Sequence, residues 1–217
     1  MEQSVRRPER LAGELAVPGD KSVSHRSLIL NAIAKGSATV TGISDGADVQ
    51  STAACLRAMG VNIEPLGEPG SFQVDGLGPD LKEPADTLDA GNSGTSMRLL
   101  SGLLASQGFL SVLTGDGSLR SRPMGRIVQP LRALGARMSA RAGGTLPPLV
   151  IEGGAIAGGQ HIETLVASAQ VKSAILLAGL AAEGATTVAG PSRSRDHSER
   201  ILAAMGADIA VEGSTVR

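Results

Sequence analysis

The sequence repeats three times at a nearly constant interval, and this repeat constrains the fold more than any other feature. Three stretches, NAIAKGSATVTG, LLASQGFLSVLTG and LAAEGATTVAG, run from a helix-like segment through a glycine into a short β-branched segment. Their first glycines, Gly36, Gly108 and Gly184, lie 72 and 76 residues apart. A second series, CLRAMGVNIEP, PLRALGARMSA and LAAMGADIAVE, follows in the same order with its glycines 75 and 71 residues apart. Two series with one period predict three copies of a single structural unit.

Each unit is predicted to contain a helix, a strand, a second helix and a strand that turns back as a hairpin. The first helices, LILNAIA, MRLLSGLLA and AILLAGLAA, are apolar nearly all round, which is typical of buried helices. The expected fold is therefore an α/β lobe with pseudo-three-fold symmetry, in which sheets and outer helices surround three buried parallel helices. The units cover about residues 18–88, 89–163 and 164–217. The third is expected to stop at Val216-Arg217, where its return strand should begin.

Composition excludes several classes of function. The net charge is −1, with 20 basic and 21 acidic residues, and the chain has no Trp, no Tyr and two Phe. A nucleic-acid partner is not expected, because base stacking needs aromatic rings and phosphate binding needs a basic field. The longest apolar run, residues 174–182, is too short to cross a membrane. With no apolar N-terminal signal and only Cys55, predicted to be buried on a helix, the sequence indicates a cytoplasmic protein without disulfides.

The segment PGDKSVSHRSLILNAIAKG poses an electrostatic problem, because it places Lys21, His25 and Arg26 in the first turn of a predicted helix. A helix N-terminus carries about half a positive charge and repels cations. The other two units also have polar residues about 15 positions before the first glycine. The three clusters are Lys21-Ser22, Asn92-Ser93-Gly94-Thr95 and Ser168-Ala169-Gln170. If the buried helices are parallel, these clusters converge on one face.

Arginines near the starts of the second helices, Arg122 and Arg195, are expected to join that face. Free backbone N–H groups, hydroxyls and arginines at helix N-termini predict a site for a small anion. Other interpretations stay open for each residue alone. Ser22, Asn92 and Ser168 are also good N-caps, the arginines could be solvated, and Gly94 could serve packing. His25 and His197 are interpreted as lying behind or outside the site, and His161 at a strand edge. No nucleotide-binding loop or metal-binding Cys/His set occurs in the sequence, so the motifs indicate neither a nucleotide cofactor nor a metal site of that kind.

Five ordered motifs carry a family resemblance. They are PGDKSVSHRSLIL, LDAGNSGTSMRLLSGLL, GDGSLRSRPMGRIVQPLRALG, SAQVKSAILLAGL and SRDHSERIL. Together they resemble the 5-enolpyruvylshikimate-3-phosphate synthase family, whose fold is an inverse αβ barrel. The resemblance covers essentially the whole chain but about half of the family's usual length. The related UDP-N-acetylglucosamine enolpyruvyl transferases have Asn after the first Lys and a loop cysteine, whereas this chain has Ser22 after Lys21 and Cys55 on a helix.

The resemblance implies transfer of the enolpyruvyl group of phosphoenolpyruvate to the 5-hydroxyl of shikimate 3-phosphate, a step of aromatic amino acid biosynthesis. It implies a tetrahedral intermediate, release of phosphate, no cofactor, and glyphosate as an inhibitor. The implied ligands of shikimate 3-phosphate are Lys21, Ser22, Arg26, Ser168, Ala169, Gln170 and Arg195. The implied ligands of phosphoenolpyruvate are Lys21, Gly94, Arg122 and Gln170. Ala169 departs from family members with Ser there, so that only its backbone N–H could bind.

The resemblance also implies a second lobe. In the family, that lobe supplies the Asp and Glu that act as general acid and base, and no such motif is found in this chain. Residues 1–17 are expected to form a strand that belongs to the second lobe, and residues 18–217 the N-terminal lobe. The sequence is therefore interpreted as the N-terminal half of a monomeric synthase, inactive alone. The alternative is a complete phosphate-ligand binding module without catalysis.

Overall fold

The computed structural model describes residues 3–4, 6–10, 12–15 and 17–217. The first unit contains α1 (Lys21–Ala32), β1 (Lys35–Val40), α2 (Ala47–Ala58), β2 (Asn62–Pro65) and β3 (Phe72–Leu77). The second contains β4 (Leu88–Asp89), α3 (Gly94–Ala105), β5 (Ser111–Thr114), a 3-10 turn (Leu119–Ser121), α4 (Gly125–Ala133), β6 (Met138–Ala140), the short turn α5 (Arg141–Gly144) and β7 (Leu146–Ile151). The third contains β8 (His161–Glu163), α6 (Ala169–Gly179), β9 (Thr187–Ala189), α7 (His197–Ala204), β10 (Val211–Glu212) and β11 (Thr215–Val216).

The three sheets have the same strand order, which confirms the three-fold repeat. The orders are β1-β3-β2 in the first unit, β4-β5-β7-β6 in the second and β8-β9-β11-β10 in the third. The hairpin β2–β3 pairs Ile63 with Val74, and β6–β7 pairs Ser139 with Val150, both antiparallel. The strands β4 and β8 lead their units and pair in parallel with β5 and β9. Among the described residues no strand leads the first unit.

Two sequence expectations concern the ends of the chain. The strand expected within residues 1–17 falls partly on positions 1, 2, 5, 11 and 16, outside the described residues; residues 12–15 are exposed and form no strand. At the other end, the return strand β11 begins at Thr215, one residue before the position where the sequence analysis expects it. The two-residue strand β11 already returns, with Val216 opposite Val188 of β9.

The core is built around the first helix of each unit. Every residue of α3 is buried, as are most residues of α6 and more than half of α1. The helix α3 is therefore buried on all sides, as its mostly apolar sequence predicts. The second helices α2, α4 and α7 end at glycines with φ of 89°, 96° and 89°, a left-handed conformation that favours glycine. These are Gly60, Gly135 and Gly206, the glycines of the second repeat series.

No helix in the described ranges has the length and apolar character that a membrane span requires. The longest predicted apolar segment lies within and just beyond α6, an eleven-residue helix. Cys55 lies on α2 and is 2% exposed, as expected.

Candidate functional site

The N-terminal turns of the three buried helices are in contact. Gln170 in the first turn of α6 is hydrogen-bonded to Thr95 and Arg98 of α3, in both cases over 2.9 Å. Arg26 of α1 donates from Nη2 to Ser173 Oγ of α6 over 2.6 Å. Because these bonds join residues of the first or second turn, α1, α3 and α6 start on the same face of the lobe. The expected convergence of the polar clusters is therefore observed.

At the start of α1, two carboxylates offset the cations. Asp20 is the N-cap and accepts a hydrogen bond from the backbone N–H of Val23 over 2.8 Å. That bond is the main reason why the pKa of Asp20 lies below its ordinary value. Lys21 forms an ion pair with Asp48 of α2, with 2.7 Å between Nζ and Oδ2. Ser22 is not the N-cap, so the capping interpretation is wrong for this residue.

Arg26 is buried, with 4% exposure, and its guanidinium points between helices. It donates from Nε to Ser198 Oγ over 2.7 Å and from Nη1 to the backbone oxygen of Ser22 over 2.9 Å, besides its bond to Ser173. Burial lowers the pKa of Arg26, while the charge of buried Glu199 acts in the opposite direction. Arg26 therefore fixes the packing of α1, α6 and α7 beneath the face where Ser22 lies.

Ser22 and Arg195 come together from opposite ends of the chain. Arg195 Nη1 lies 3.4 Å from Ser22 Oγ, and the arginine is exposed. Ser168 is the N-cap of α6 and accepts a hydrogen bond from the backbone N–H of Val171, so the capping interpretation holds here. Ala169 begins α6 at the same end. Within the described part of the chain, no side-chain hydrogen bond joins Lys21 or Ser168 to another predicted site residue.

Gly94, Asn92 and Arg122 form the second cluster. Ser93, not Asn92, caps α3. The carboxamide of Asn92 accepts a hydrogen bond from Arg122 Nη2 and donates to Asp116 Oδ2 over 2.6 Å. A Cβ on Gly94 would lie 3.4 Å from Arg122 Nη1, so this arginine is beside the start of α3. The predicted pair of Gly94 and Arg122 is thus together in space.

The three histidines lie at different places in the lobe. His25 is fully buried, and its Nδ1 is hydrogen-bonded to Thr52 Oγ1 over 2.7 Å. Burial lowers the pKa of His25 to about 4, so the ring is neutral near pH 7. His161 is exposed on β8, and its Nε2 lies 3.9 Å from Glu163, a weak contact that the sequence did not indicate. His197 begins α7.

Sequence reasoning missed two charged residues at the site. Asp48 pairs with Lys21 from 27 positions away, and nothing in the local pattern indicated this partner. Arg98 lies one turn into α3, beside Gly94 and Gln170. Its signal was present, because it is the single charged residue in the apolar segment MRLLSGLLA. A lone cation in a fully buried helix requires a polar neighbour or a ligand.

Metal and thiol chemistry have no support in the site. No group of three or more His, Cys, Asp or Glu side chains suited to a metal ion is found among the residues described. Burial raises the pKa of the Cys55 thiol to about 12, so it is not a reactive thiolate. What the arrangement offers is hydrogen-bond donors and positive charge at helix N-termini, which suits small anionic ligands.

The sequence and the fold of this chain are similar to those of known proteins. The family model described as EPSP synthase (3-phosphoshikimate 1-carboxyvinyltransferase) matches residues 5–217. The chain is 54% identical over 217 residues to a 3-phosphoshikimate 1-carboxyvinyltransferase of Herpetosiphon aurantiacus, covering 100% of this chain and 50% of that relative. It is 56% identical over 210 residues to one of Chloroflexus aurantiacus, covering 96% of this chain and 48% of the relative.

A solved EPSP synthase from Acinetobacter baumannii superimposes with a TM-score of 0.90 at 50% sequence identity. The superposition covers 94% of this chain and 46% of that one. The chain thus spans about half the length of the curated relatives that it matches. The α/β lobe and its pseudo-three-fold architecture are those of this structural neighbour, and the chain belongs to the EPSP synthase family.

Proposed function

We propose that this chain carries the substrate-binding face of an enzyme that transfers the enolpyruvyl group of phosphoenolpyruvate to the 5-hydroxyl of shikimate 3-phosphate. The observation that carries the proposal is the meeting of the N-terminal turns of α1, α3 and α6 with arginines from all three units. Both substrates are phosphorylated carboxylates, so each needs several donors and cations. The family to which the chain belongs supplies the reaction class.

The face is divided between the two substrates as the family resemblance implies. Shikimate 3-phosphate is assigned to Lys21, Ser22, Arg26, Ser168, Ala169, Gln170 and Arg195. Phosphoenolpyruvate is assigned to Lys21, Gly94, Arg122 and Gln170. Gln170 is assigned to both substrates, because its carboxamide bonds to α3 while its backbone belongs to the first turn of α6. Arg26 is buried beneath Ser22, so the proposal gives it mainly the role of holding that backbone in place.

The proposed reaction is an addition followed by an elimination. The 5-hydroxyl gives its proton to a base and its oxygen bonds to C2 of phosphoenolpyruvate, while C3 takes up a proton from an acid, which gives a tetrahedral intermediate. The bond between C2 and the phosphate oxygen then breaks, C3 loses a proton, and inorganic phosphate leaves. The arginines and helix N-termini would hold the phosphate as its charge increases, which is electrostatic stabilisation by groups already in position.

Proton transfer is proposed to need residues from outside this chain. Asp20 caps α1, Asp48 is paired with Lys21, and Asp116 accepts hydrogen bonds from Asn92 and from the backbone N–H of Leu119. The bond from Asn92 is the main cause that lowers the pKa of Asp116, so this carboxylate is ionised near pH 7. Each carboxylate is engaged and poorly placed to act as a general acid. A second lobe, as the resemblance implies, would supply the acid and the base.

The test uses two proteins: the longest chain that the gene encodes, and the 217-residue chain alone. With both substrates, phosphate release is expected from the first and none from the second. Shikimate 3-phosphate should still bind the 217-residue chain weakly, as measured by calorimetry or NMR shifts. Inorganic phosphate or sulfate should compete, because these ions occupy the same helix N-termini. Turnover by the 217-residue chain, or no binding by a folded one, contradicts the proposal.

The alternatives give different results in the same assay. A phosphate-ligand binding module would bind shikimate 3-phosphate in its longest form without releasing phosphate. A UDP-N-acetylglucosamine enolpyruvyl transferase would accept UDP-N-acetylglucosamine in place of shikimate 3-phosphate. Action in the cytoplasm as a monomer is part of the proposal, and cell fractionation and gel filtration check it.

A further inference from the structure

Arg98 is a buried cation that pairs with no carboxylate of the described residues. It is 7% exposed, and none of the ion pairs found in the described part of the chain includes it. Its Nη1 donates to the backbone oxygen of Gly94 over 3.2 Å and to Gln170 Oε1 over 2.9 Å. Its Nε is buried without a hydrogen-bond partner. A charge removed from water in this way is costly unless something else compensates it.

Other arginines of the lobe are satisfied in ways that Arg98 is not. Arg57 and Arg132 each direct Nε and Nη2 at one backbone oxygen, that of Ile63 and that of Met138. Arg26 bonds to two serines and has the buried charge of Glu199 nearby. Those arginines complete the packing of helices and strands. The position of Arg98, at the start of α3 and beside two predicted site residues, points to a different role.

The bond from Arg98 determines how the Gln170 carboxamide is oriented. A guanidinium can only donate, so the group facing it must be the carboxamide oxygen. The nitrogen Nε2 is then on the other side, where it donates one hydrogen to Thr95 Oγ1 over 2.9 Å. Among the described residues the second hydrogen of Nε2 has no partner, so it is available to an acceptor on the open face. The opposite orientation would place an NH₂ group against the guanidinium.

We propose that Arg98 is a positioning residue: it holds Gln170 with its free N–H toward the substrate oxygens, and its own charge is compensated by the bound anionic substrate. This inference rests on the proposed function, because it assigns a role behind a residue of that site. Arg98 does not itself touch the substrate. On shikimate 3-phosphate it acts through Gln170, whereas its positive charge acts at the start of α3, where phosphoenolpyruvate is assigned.

The electrostatic surroundings of Arg98 are consistent with this role. Burial, followed by the charges of Arg126 and Arg122, lowers the pKa of Arg98 to about 10. Arg98 therefore stays protonated near pH 7 but is destabilised in the absence of a ligand. An anion that binds at the start of α3 would offset the cost of burying the charge of Arg98. It would also reduce the repulsion among the three arginines.

A double-mutant cycle in the longest chain that the gene encodes tests the inference. The variants are Arg98→Met, Gln170→Ala and the double variant, and the measured quantity is the dissociation constant of shikimate 3-phosphate by calorimetry. Arg98→Met is expected to weaken binding about tenfold or more, the effect of losing one charge-assisted contact. The double variant should bind within about twofold of Gln170→Ala alone, because residues that act through one another are not additive. Arg98→Lys should recover part of the lost affinity, since it keeps a charge and a donor.

A matched control separates positioning from stability. Arg132→Met also removes an arginine that bonds to a backbone oxygen, but this arginine is exposed and lies outside the site. It is expected to lower the unfolding midpoint and leave the dissociation constant unchanged. If Arg98→Met does not fold, Arg98→Lys takes its place in the cycle.

The outcomes distinguish this inference from the proposed function. If Gln170→Ala leaves shikimate 3-phosphate binding unchanged, the proposed site is wrong and the inference falls with it. If Gln170→Ala weakens binding but Arg98→Met does not, the site stands and the positioning role is wrong. If the two effects multiply in the double variant, or if Arg132→Met weakens binding as much as Arg98→Met, Arg98 does not act through Gln170.

Discussion

Replacing Gly94 by alanine tests whether this residue serves ligand binding or the packing of the fold. Gly94 is the first residue of α3, and an added Cβ would lie 2.7 Å from Arg98 Nη1. That distance is well inside ordinary contact between non-bonded heavy atoms, about 3.5–4.0 Å. The guanidinium can move, because it is the end of a long side chain. We expect this movement to weaken its hydrogen bonds to the oxygens of Gly94 and Gln170.

The size of the effect follows from those two bonds. A hydrogen bond to a charged group contributes about 1.5–3 kcal/mol net, which corresponds to about ten- to a hundredfold in affinity. We expect Gly94→Ala to raise the KM for phosphoenolpyruvate by this factor. The free energy of unfolding should change less, because alanine favours a helix over glycine by up to about 1 kcal/mol and offsets part of the loss.

Gly102→Ala in the same helix is the control. There an added Cβ would overlap the backbone oxygen of Ala174 and lie 2.7 Å from its Cα. The backbone of α6 cannot step aside as a side chain can, so α3 and α6 must separate. Overpacking of this kind costs about 1–3 kcal/mol, which lowers the unfolding midpoint of a domain this size by about 2–12 °C. The KM of the folded fraction should stay near that of the wild type.

The assay combines thermal unfolding, followed by circular dichroism, with steady-state kinetics for both substrates. The expected result is a change in KM for Gly94→Ala and a change in midpoint for Gly102→Ala. If Gly94→Ala instead lowers the midpoint as much as Gly102→Ala and leaves both KM values unchanged, Gly94 serves packing. The reasoning about the site would then be refuted.

Three further predictions concern single residues. Arg122→Ala should lower phosphoenolpyruvate use about ten- to a hundredfold while shikimate 3-phosphate binding alone changes little; equal losses for both ligands would contradict its assignment. Glyphosate should inhibit the enzyme competitively with phosphoenolpyruvate, and Gly94→Ala should relieve this, so that equal inhibition of both proteins counts against the assignment of Gly94. Burial lowers the pKa of His25 from 6.5 to about 4, so the unfolded chain binds more protons between these values and stability falls as the pH falls. The contribution of His25 to the free energy of unfolding should drop by about 2 kcal/mol between pH 7 and pH 5, and urea unfolding should show a flatter dependence in His25→Gln but not in the exposed control His161→Gln.

Sequence reasoning predicted the fold well because the repeat is a local pattern written three times. Each unit carries its own apolar helix, its glycine C-cap and its hairpin, so an error in one unit is corrected by the other two. Predicting the hairpins β2–β3 and β6–β7 required only the alternation of apolar and polar residues on either side of a turn. The length of the last strand could not be read in the same way. The chain offers only Thr215 and Val216 for β11, too few residues to show a pattern.

The contacts within the site could be predicted only in part. The clusters were found because they recur at one distance from the glycines. The residues that contact these clusters were not predicted, because they lie on other helices. Asp48 is 27 residues from Lys21, and Gln170 is 72 residues from Arg98. The sequence also did not identify the N-caps of α1 and α3. The observed caps, Asp20 and Ser93, lie two positions from Ser22 and one position from Asn92, which were the candidates. At that distance, residue preference cannot separate neighbouring candidates.

The cations at the start of α1 turn out to need a bound anion less than those at the start of α3. Asp20 and Asp48 stand against the first turn of α1, and Arg26 is satisfied by serines and a backbone oxygen. The first turn of α3 has no acidic residue and a neutral cap. There the partial positive charge of the helix adds to the charges of Arg98 and Arg122, since the macrodipole acts within the first turn. The electrostatic problem that the sequence poses at α1 is therefore solved there by the protein's own carboxylates, and it is at α3 that the lobe is left with positive charge for a ligand to neutralise.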